Sequence, residues 1–140
     1  IKQCEEAAES LQMDKKLIHR SLNVGFSGGE KKKNEVLQLK LLKPSFVILD
    51  ELDSGLDVDS LKIVAQNILD YKKENPNTAI LIITHLTKIL EYIKPDYVHV
   101  IGNGKILETG DYSLAKRIEQ SGYKEYLDKS NVIVKECRNE

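Results

Sequence analysis

Four stretches of this 140-residue chain gather side chains that can do chemistry. The first is Phe26-Ser27-Gly28-Gly29-Glu30. Two glycines let a backbone come close to a ligand, and the first-turn amides of a helix opening there carry the positive end of its dipole. Such a corner favours phosphate, with the Ser27 hydroxyl as an added donor. The same residues also fit an ordinary N-cap with a glycine turn. The second stretch is Ile48-Leu49-Asp50-Glu51, where an apolar run delivers two adjacent carboxylates at a strand's C-terminal end. Open α/β sheets hold their ligands at that edge. Successive strand residues point opposite ways, so the two acids can divide the work. Asp50 would be an oxygen ligand for Mg²⁺, directly or through water, and Glu51 would polarise an attacking water. A polar strand end capping the next loop is the plainer reading. Third, Ser54-Gly55-Leu56-Asp57 leads into a helix that Asp57 or Asp59 can cap. Fourth, His85 ends the run Ile82-Ile83-Thr84, where an imidazole can donate to a γ-phosphate or merely serve the fold. His19 and His99 have no comparable setting.

The elements that must position these groups follow from periodicity. Residues 1–18 read as one charged helix with Ala7, Ala8, Leu11, Leu17 and Ile18 on its apolar side. Asn23 to Gly29 is a loop, and Ser27 with Glu30 three residues on forms a capping-box pattern for a helix that Pro44 closes. Leu37 and Leu41 give that helix an apolar line. Phe46 to Leu49 predicts a short strand apolar on both faces, and Ala79 to Ile83 a second buried strand. Between them Leu61, Val64, Ala65, Ile68 and Leu69 recur at helical spacing until Asn75-Pro76-Asn77. A short helix over 86–93 follows. Asn103-Gly104 predicts a hairpin between 97–101 and 105–107, and a last helix runs from Tyr112 to about Asp128 before a polar tail. The order strand, helix, strand, helix, hairpin makes the fold class α/β.

Composition narrows the function classes. Net charge is −1, which argues against a general nucleic-acid or membrane-surface binder. Lys31-Lys32-Lys33 fan around their helix beside Glu30 and Glu35 and read as a solvated face. No apolar run approaches the roughly 20 residues of a bilayer span. Cys4 and Cys137 lie at opposite ends, without metal-ligand spacing, which points to a reducing, intracellular setting. The chain begins at Ile1 and reads as a fragment or processed piece, so the lack of a targeting segment says nothing of its parent.

In this order and at these spacings the four stretches resemble the second half of an ABC-type ATPase domain, a P-loop NTPase with a RecA-like core. In that resemblance they are the signature motif, the Walker B strand, the D-loop and the switch histidine. It assigns Glu51 and His85 to catalysis, Ser27, Gly28, Gly29, Glu30 and Asp57 to nucleotide binding, and Asp50 to Mg²⁺. It implies the end of a helical subdomain over 1–43 and a RecA-like portion over 44–140, closed by the hairpin and helix. Transport ATPases usually carry Gln where Glu30 stands and Pro-Thr-Ser-Ala-Leu-Asp after the paired acids. Here the run is Leu52-Asp53-Ser54-Gly55-Leu56-Asp57. With Tyr92 to Val100 and Gly122-Tyr123, this is similar to the SufC family, ATPases of SUF iron–sulfur cluster assembly, over about 23–127. That resemblance implies ATP and Mg²⁺ as cofactors, a SufB and SufD scaffold as partner, and a transient homodimer through an ATP sandwich. It implies neither nucleic-acid binding nor membrane insertion, and a soluble protein of a plastid or, in a bacterium, of the cytoplasm.

No Gly-x-x-x-x-Gly-Lys-Ser/Thr loop occurs in the 140 residues. That loop cradles the phosphates, so the chain alone is expected not to hydrolyse ATP and to offer only a signature face to an opposite subunit. A chain this short is also expected to expose its strands, a gap that a second copy or exchanged elements would fill. Three other readings stay open. One is a transporter's nucleotide-binding subunit. Another is a chromosome-organising or DNA-repair ATPase head, disfavoured by the absence of heptads in Ile1 to Arg20. The last is a non-catalytic regulatory half-domain.

Overall fold

The structure is a computed structural model and describes residues 1–85, 88–123 and 125–126. Its internal packing divides the chain into two compact units, 1–93 and 94–140. Cys137, the polar tail and the far end of the expected last helix lie outside the described residues, as do the first two residues of the expected 86–93 helix.

In the first unit the expected single helix over 1–18 is two pieces. Helix α1, Lys2–Ser10, stops where Gln12 turns left-handed at φ 51°. A 3₁₀ turn, Lys15–His19, restarts under an Asp14 cap that accepts the Lys16 N–H. The break lets Leu11, Met13 and Leu17 all turn inward, which one straight stripe would not. Helix α2, Gly28–Leu42, ends at Lys43, left-handed at φ 47° just before Pro44. It packs against α1 and against α3, Val58–Glu74. Two neighbours require more than one apolar line, so Val36, Leu37 and Leu39 are buried while Leu41, expected inside, is 39% exposed.

Strand β1, Phe46–Asp50, pairs in parallel with β2, Ala79–Ile83, from Phe46 opposite Ala79 to Asp50 opposite Ile83. Helix α3 makes the crossover between them, as a parallel pair requires. Leu61, Val64, Ala65 and Ile68 are buried as the spacing predicts, whereas Leu69 sits at the rim and Tyr71 takes the next inward place. Full burial of Leu61, Val64 or Ile68 is worth about 1.5–3 kcal/mol each. The Tyr71 hydroxyl donates to the Pro44 carbonyl at 3.1 Å, fixing the end of α3 against the start of β1.

Of the two expectations for these strands, burial on both faces is corrected, and exposure is met on one face. Val47 and Leu49 face the core, but Phe46 and Ile48 are each 56% exposed, and Leu81 and Ile83 are exposed beside them. Strand residues alternate faces, and within this unit only one face is covered. The short helix after β2 is a 3₁₀ turn, Lys88–Glu91, that buries Ile89. No helix among the described residues is long and apolar enough to cross a membrane.

The second unit is a hairpin with a helix. Strands β3, Val98–Gly102, and β4, Lys105–Gly110, are antiparallel around Asn103 and Gly104, both at positive φ. That is the geometry for which Asn-Gly is favoured. A register irregularity at Val100/Ile101 carries β4 further than the pattern suggests. Helix α4, Tyr112–Ser121, starts under an Asp111 cap. Its Leu114 and Ile118 pack with Val100 and Tyr126.

Candidate functional site

The parallel register sets the C-terminal ends of β1 and β2 side by side, and the chain uses that edge at once. Glu51 follows β1 and donates its backbone N–H to the Ile83 carbonyl at 2.8 Å. Its φ is 46°, so it is a left-handed residue beyond the strand and not the next position of the pleat. The expected alternation of Asp50 and Glu51 therefore does not set the direction of Glu51; the turn does. That turn brings the Glu51 carboxylate to the ring of His85, with Nδ1 to Oε1 at 3.2 Å. Both side chains are open to solvent, 61% exposed for His85 and 53% for Glu51. An exposed pair of this kind is worth about 0–1 kcal/mol, so other contacts must hold the geometry.

Those contacts lie one residue deeper. Leu52 is fully buried and Asp53 nearly so. The Thr84 hydroxyl donates to Asp53 Oδ2 at 2.7 Å. The other carboxylate oxygen, Oδ1, is buried without a hydrogen-bond partner. The Ser54 N–H returns to the Glu51 carbonyl at 3.1 Å, tightening the turn. Asp57 then caps α3, accepting the Ser60 N–H at 2.8 Å and the Ser60 hydroxyl at 3.0 Å. These bonds, the backbone one first, hold the Asp57 carboxyl below its usual range. Of the two candidate caps, Asp57 is the one used.

At the start of α2 the capping box is complete. Ser27 Oγ accepts the Glu30 N–H at 3.2 Å, and Glu30 Oε2 accepts the Ser27 N–H at 2.7 Å. The Ser27 N–H, and after it the Ser27 hydroxyl, keep Glu30 ionised at lower pH than usual. Glu30 thus has a role in holding the loop. A Cβ on Gly28 would meet nothing within 4 Å, and one on Gly29 only Leu56 at 3.6 Å. Neither packing nor a positive φ asks for glycine at 28, so the bare backbone there suits something arriving from outside.

Helix α2 reaches the acidic edge through Lys32, whose Nζ donates to the Asp50 carbonyl at 3.3 Å and pairs with Glu35 at 3.4 Å. Its side chain is only 22% exposed, so of the three lysines read as a solvated face Lys32 is not one. The structure thus brings Glu51 and His85 together, sets exposed Asp50 at the adjoining strand end, and makes Ser27, Glu30 and Asp57 helix caps. Pattern reading missed Lys32, Asp53 and Thr84 as members of this edge. Asp53 and Thr84 lie in irregular backbone, where no period marks the inward positions.

Asp50 is an exposed carboxylate at the strand's end, and among the described residues no cluster of three or more His, Cys, Asp or Glu could hold a metal. That donor set fits Mg²⁺, which keeps several waters and takes one or two carboxylates with substrate phosphates, and does not fit a caged structural metal.

The fold is that of an ATP-binding cassette. A solved ATP-binding cassette of an ABC transporter, in its ADP conformation, superposes over 84% of this chain and 44% of its own with a TM-score of 0.62 at 24% identity. No family model matches the chain. Among curated proteins the chain is 48% identical over 122 residues to the iron–sulfur cluster assembly protein SufC of Plasmodium falciparum, covering 87% of this chain and 35% of that protein. It is 50% identical over 119 residues to the probable ATP-dependent transporter SufC of Escherichia coli, covering 85% and 47%. The chain therefore has the cassette fold and is a relative of the SufC proteins. It spans about half the length, or less, of the curated relatives it matches.

Proposed function

We propose that the protein to which this chain belongs binds and hydrolyses ATP as the ATPase subunit of an iron–sulfur cluster assembly complex. It acts on a SufB–SufD scaffold through nucleotide-driven dimerisation. The observation that carries the reading is the Glu51–His85 contact at the paired ends of two parallel strands. Glu51 keeps Oε2 to orient an attacking water and take up its proton. His85, donating from Nδ1 to Glu51, has Nε2 for a phosphate oxygen; donating from both nitrogens requires the imidazolium form. Asp50 would hold Mg²⁺, which supplies charge neutralisation on the phosphates when bound. Ser27, Gly28 and Gly29 would meet the γ-phosphate held by the opposite subunit of the sandwich, and Asp57 would help shape the loop that faces it. In this reading 1–43 is the end of a helical subdomain and 44–140 a RecA-like portion. The compartment would be a plastid in a eukaryote and the cytoplasm in a bacterium.

The test is ATP turnover with Mg²⁺ by the full-length protein and by the 140-residue chain, with capture of SufB–SufD alongside. Turnover and capture by the full-length protein, with no turnover by the chain lacking its Gly-x-x-x-x-Gly-Lys-Ser/Thr loop, are expected. Turnover by the isolated chain refutes the division of labour. Binding to a membrane-embedded partner in place of the scaffold assigns the protein to transport instead.

A further inference from the structure

Two groups at the acidic edge have no part in the mechanism above, and both are where a surface device would not put them. Asp53 is 4% exposed, in a loop whose neighbouring carboxylates, Asp50, Glu51 and Asp57, all face solvent. Its one hydrogen-bonded oxygen, Oδ2, receives the Thr84 hydroxyl at 2.7 Å, and its other oxygen is buried without a partner. Leaving a carboxylate oxygen unpartnered inside a fold is costly, and an apolar side chain of similar size would avoid that cost. Stability therefore does not explain why an acid stands there.

Position does. Asp53 lies two residues after Glu51, and Thr84 lies one residue before His85. The buried bond thus joins the two backbone segments that carry the exposed pair, just beneath it. The exposed pair cannot fix its own distance, since two solvated side chains gain little from meeting. The Glu51 backbone sits in a left-handed turn that must be held from outside. The Glu51 N–H to Ile83 carbonyl bond fixes one side of that turn; the Asp53–Thr84 bond fixes the other.

We propose that Asp53 and Thr84 are positioning residues of the ATPase site: their buried hydrogen bond latches the 51–57 loop to the end of β2 and so sets the separation of Glu51 and His85. The proposal rests on the ATPase reading of that pair.

The experiment uses the full-length protein. T84V removes the hydroxyl at nearly constant volume, and D53A removes the acceptor. Each is expected to lower kcat by about 10- to 100-fold, as a misplacement of about 1 Å does, with the KM for ATP within about twofold of wild type. T84S, which restores the hydroxyl, and D53N, which keeps an acceptor for it, recover most of the loss. The D53A/T84V double variant falls no further than either single one, the signature of one shared interaction. Amide hydrogen exchange without nucleotide gives a readout apart from turnover. Residues 51–57 exchange faster in T84V while the α3 interior is unchanged. E51Q, measured alongside, separates the two levels. If E51Q is slow while T84V turns over like wild type, or the two losses simply add, the latch is wrong and the ATPase reading stands. If E51Q itself is unimpaired, the reading beneath it fails.

Discussion

Glu51→Gln is the perturbation that most directly weighs the two things this carboxylate could be. One is a charge partner for His85, the other a base for water. The structure separates them by magnitude. The pair is 3.2 Å apart, with the side chains 61% and 53% exposed. A solvated pair of that kind contributes about 0–1 kcal/mol, so losing its charge slows turnover by no more than about fivefold. Losing a general base costs about 100- to 10,000-fold, or about 2.7–5.4 kcal/mol of barrier. The ranges do not overlap. Glutamine keeps the size of the side chain and a carbonyl oxygen for the His85 ring, so the turn at Glu51 and the fit of nucleotide are undisturbed. The assay is steady-state release of phosphate by the full-length protein, with nucleotide affinity followed separately by a fluorescent ATP analogue. Expected is a loss of at least 100-fold in kcat at unchanged affinity. A loss under about tenfold with affinity intact refutes the assignment of Glu51 to water, whatever else the edge does.

Two further outcomes follow from the contacts that hold the elements. Glu30 and Asp57 titrate below their ordinary values of 4.5 and 3.8 because each accepts a backbone N–H at a helix start. A depressed folded-state pKa contributes stability that is present above the ordinary value and lost as pH falls through the depressed one. The Ser27 and Ser60 amide resonances should therefore hold steady from neutrality to about pH 5 and shift only below the ordinary carboxylate range; movement near neutrality would contradict the caps. Tyr71→Phe removes the donor to the Pro44 carbonyl but leaves Thr78 Oγ1 donating to the same oxygen at 3.1 Å. Because the acceptor stays satisfied, the cost should be about 0.5–1.5 kcal/mol in urea unfolding with an unchanged slope, and a loss above 3 kcal/mol would show that Tyr71 does more.

Much of the frame is legible from residue pattern, and for a stated reason. Leu61, Val64, Ala65 and Ile68 recur with helical period because α3 presents one stripe to one core. Ser27 and Glu30 announce α2, and Asn103-Gly104 the hairpin, because each device is local and carried by its own side chains. What pattern does not give is set by neighbours far along the chain. Val36 and Leu39 are inside and Leu41 is half out because α2 lies between two helices. Phe46 and Ile48 match Val47 and Leu49 in polarity, so nothing in the run says which pair the helices cover. The break at Gln12 depends on where Leu11, Met13 and Leu17 must go, and no proline or glycine marks it.

The acidic edge follows the same logic, with consequences for how it works. The motif residues stand on the surface, where a ligand can reach them, and for that reason they hold one another weakly. Glu51 and His85 meet in solvent; Ser27 and Asp57 spend their acceptors on helix starts. The contacts that resist displacement are interior and belong to residues with no motif of their own. These are Leu52 in the core, Asp53 on Thr84, and the Glu51 amide on the Ile83 carbonyl. An edge built this way separates its chemistry from its geometry. Substitutions among the exposed groups should remove a chemical step and leave the backbone where it is. Substitutions beneath them should leave every reactive group present and put it in the wrong place.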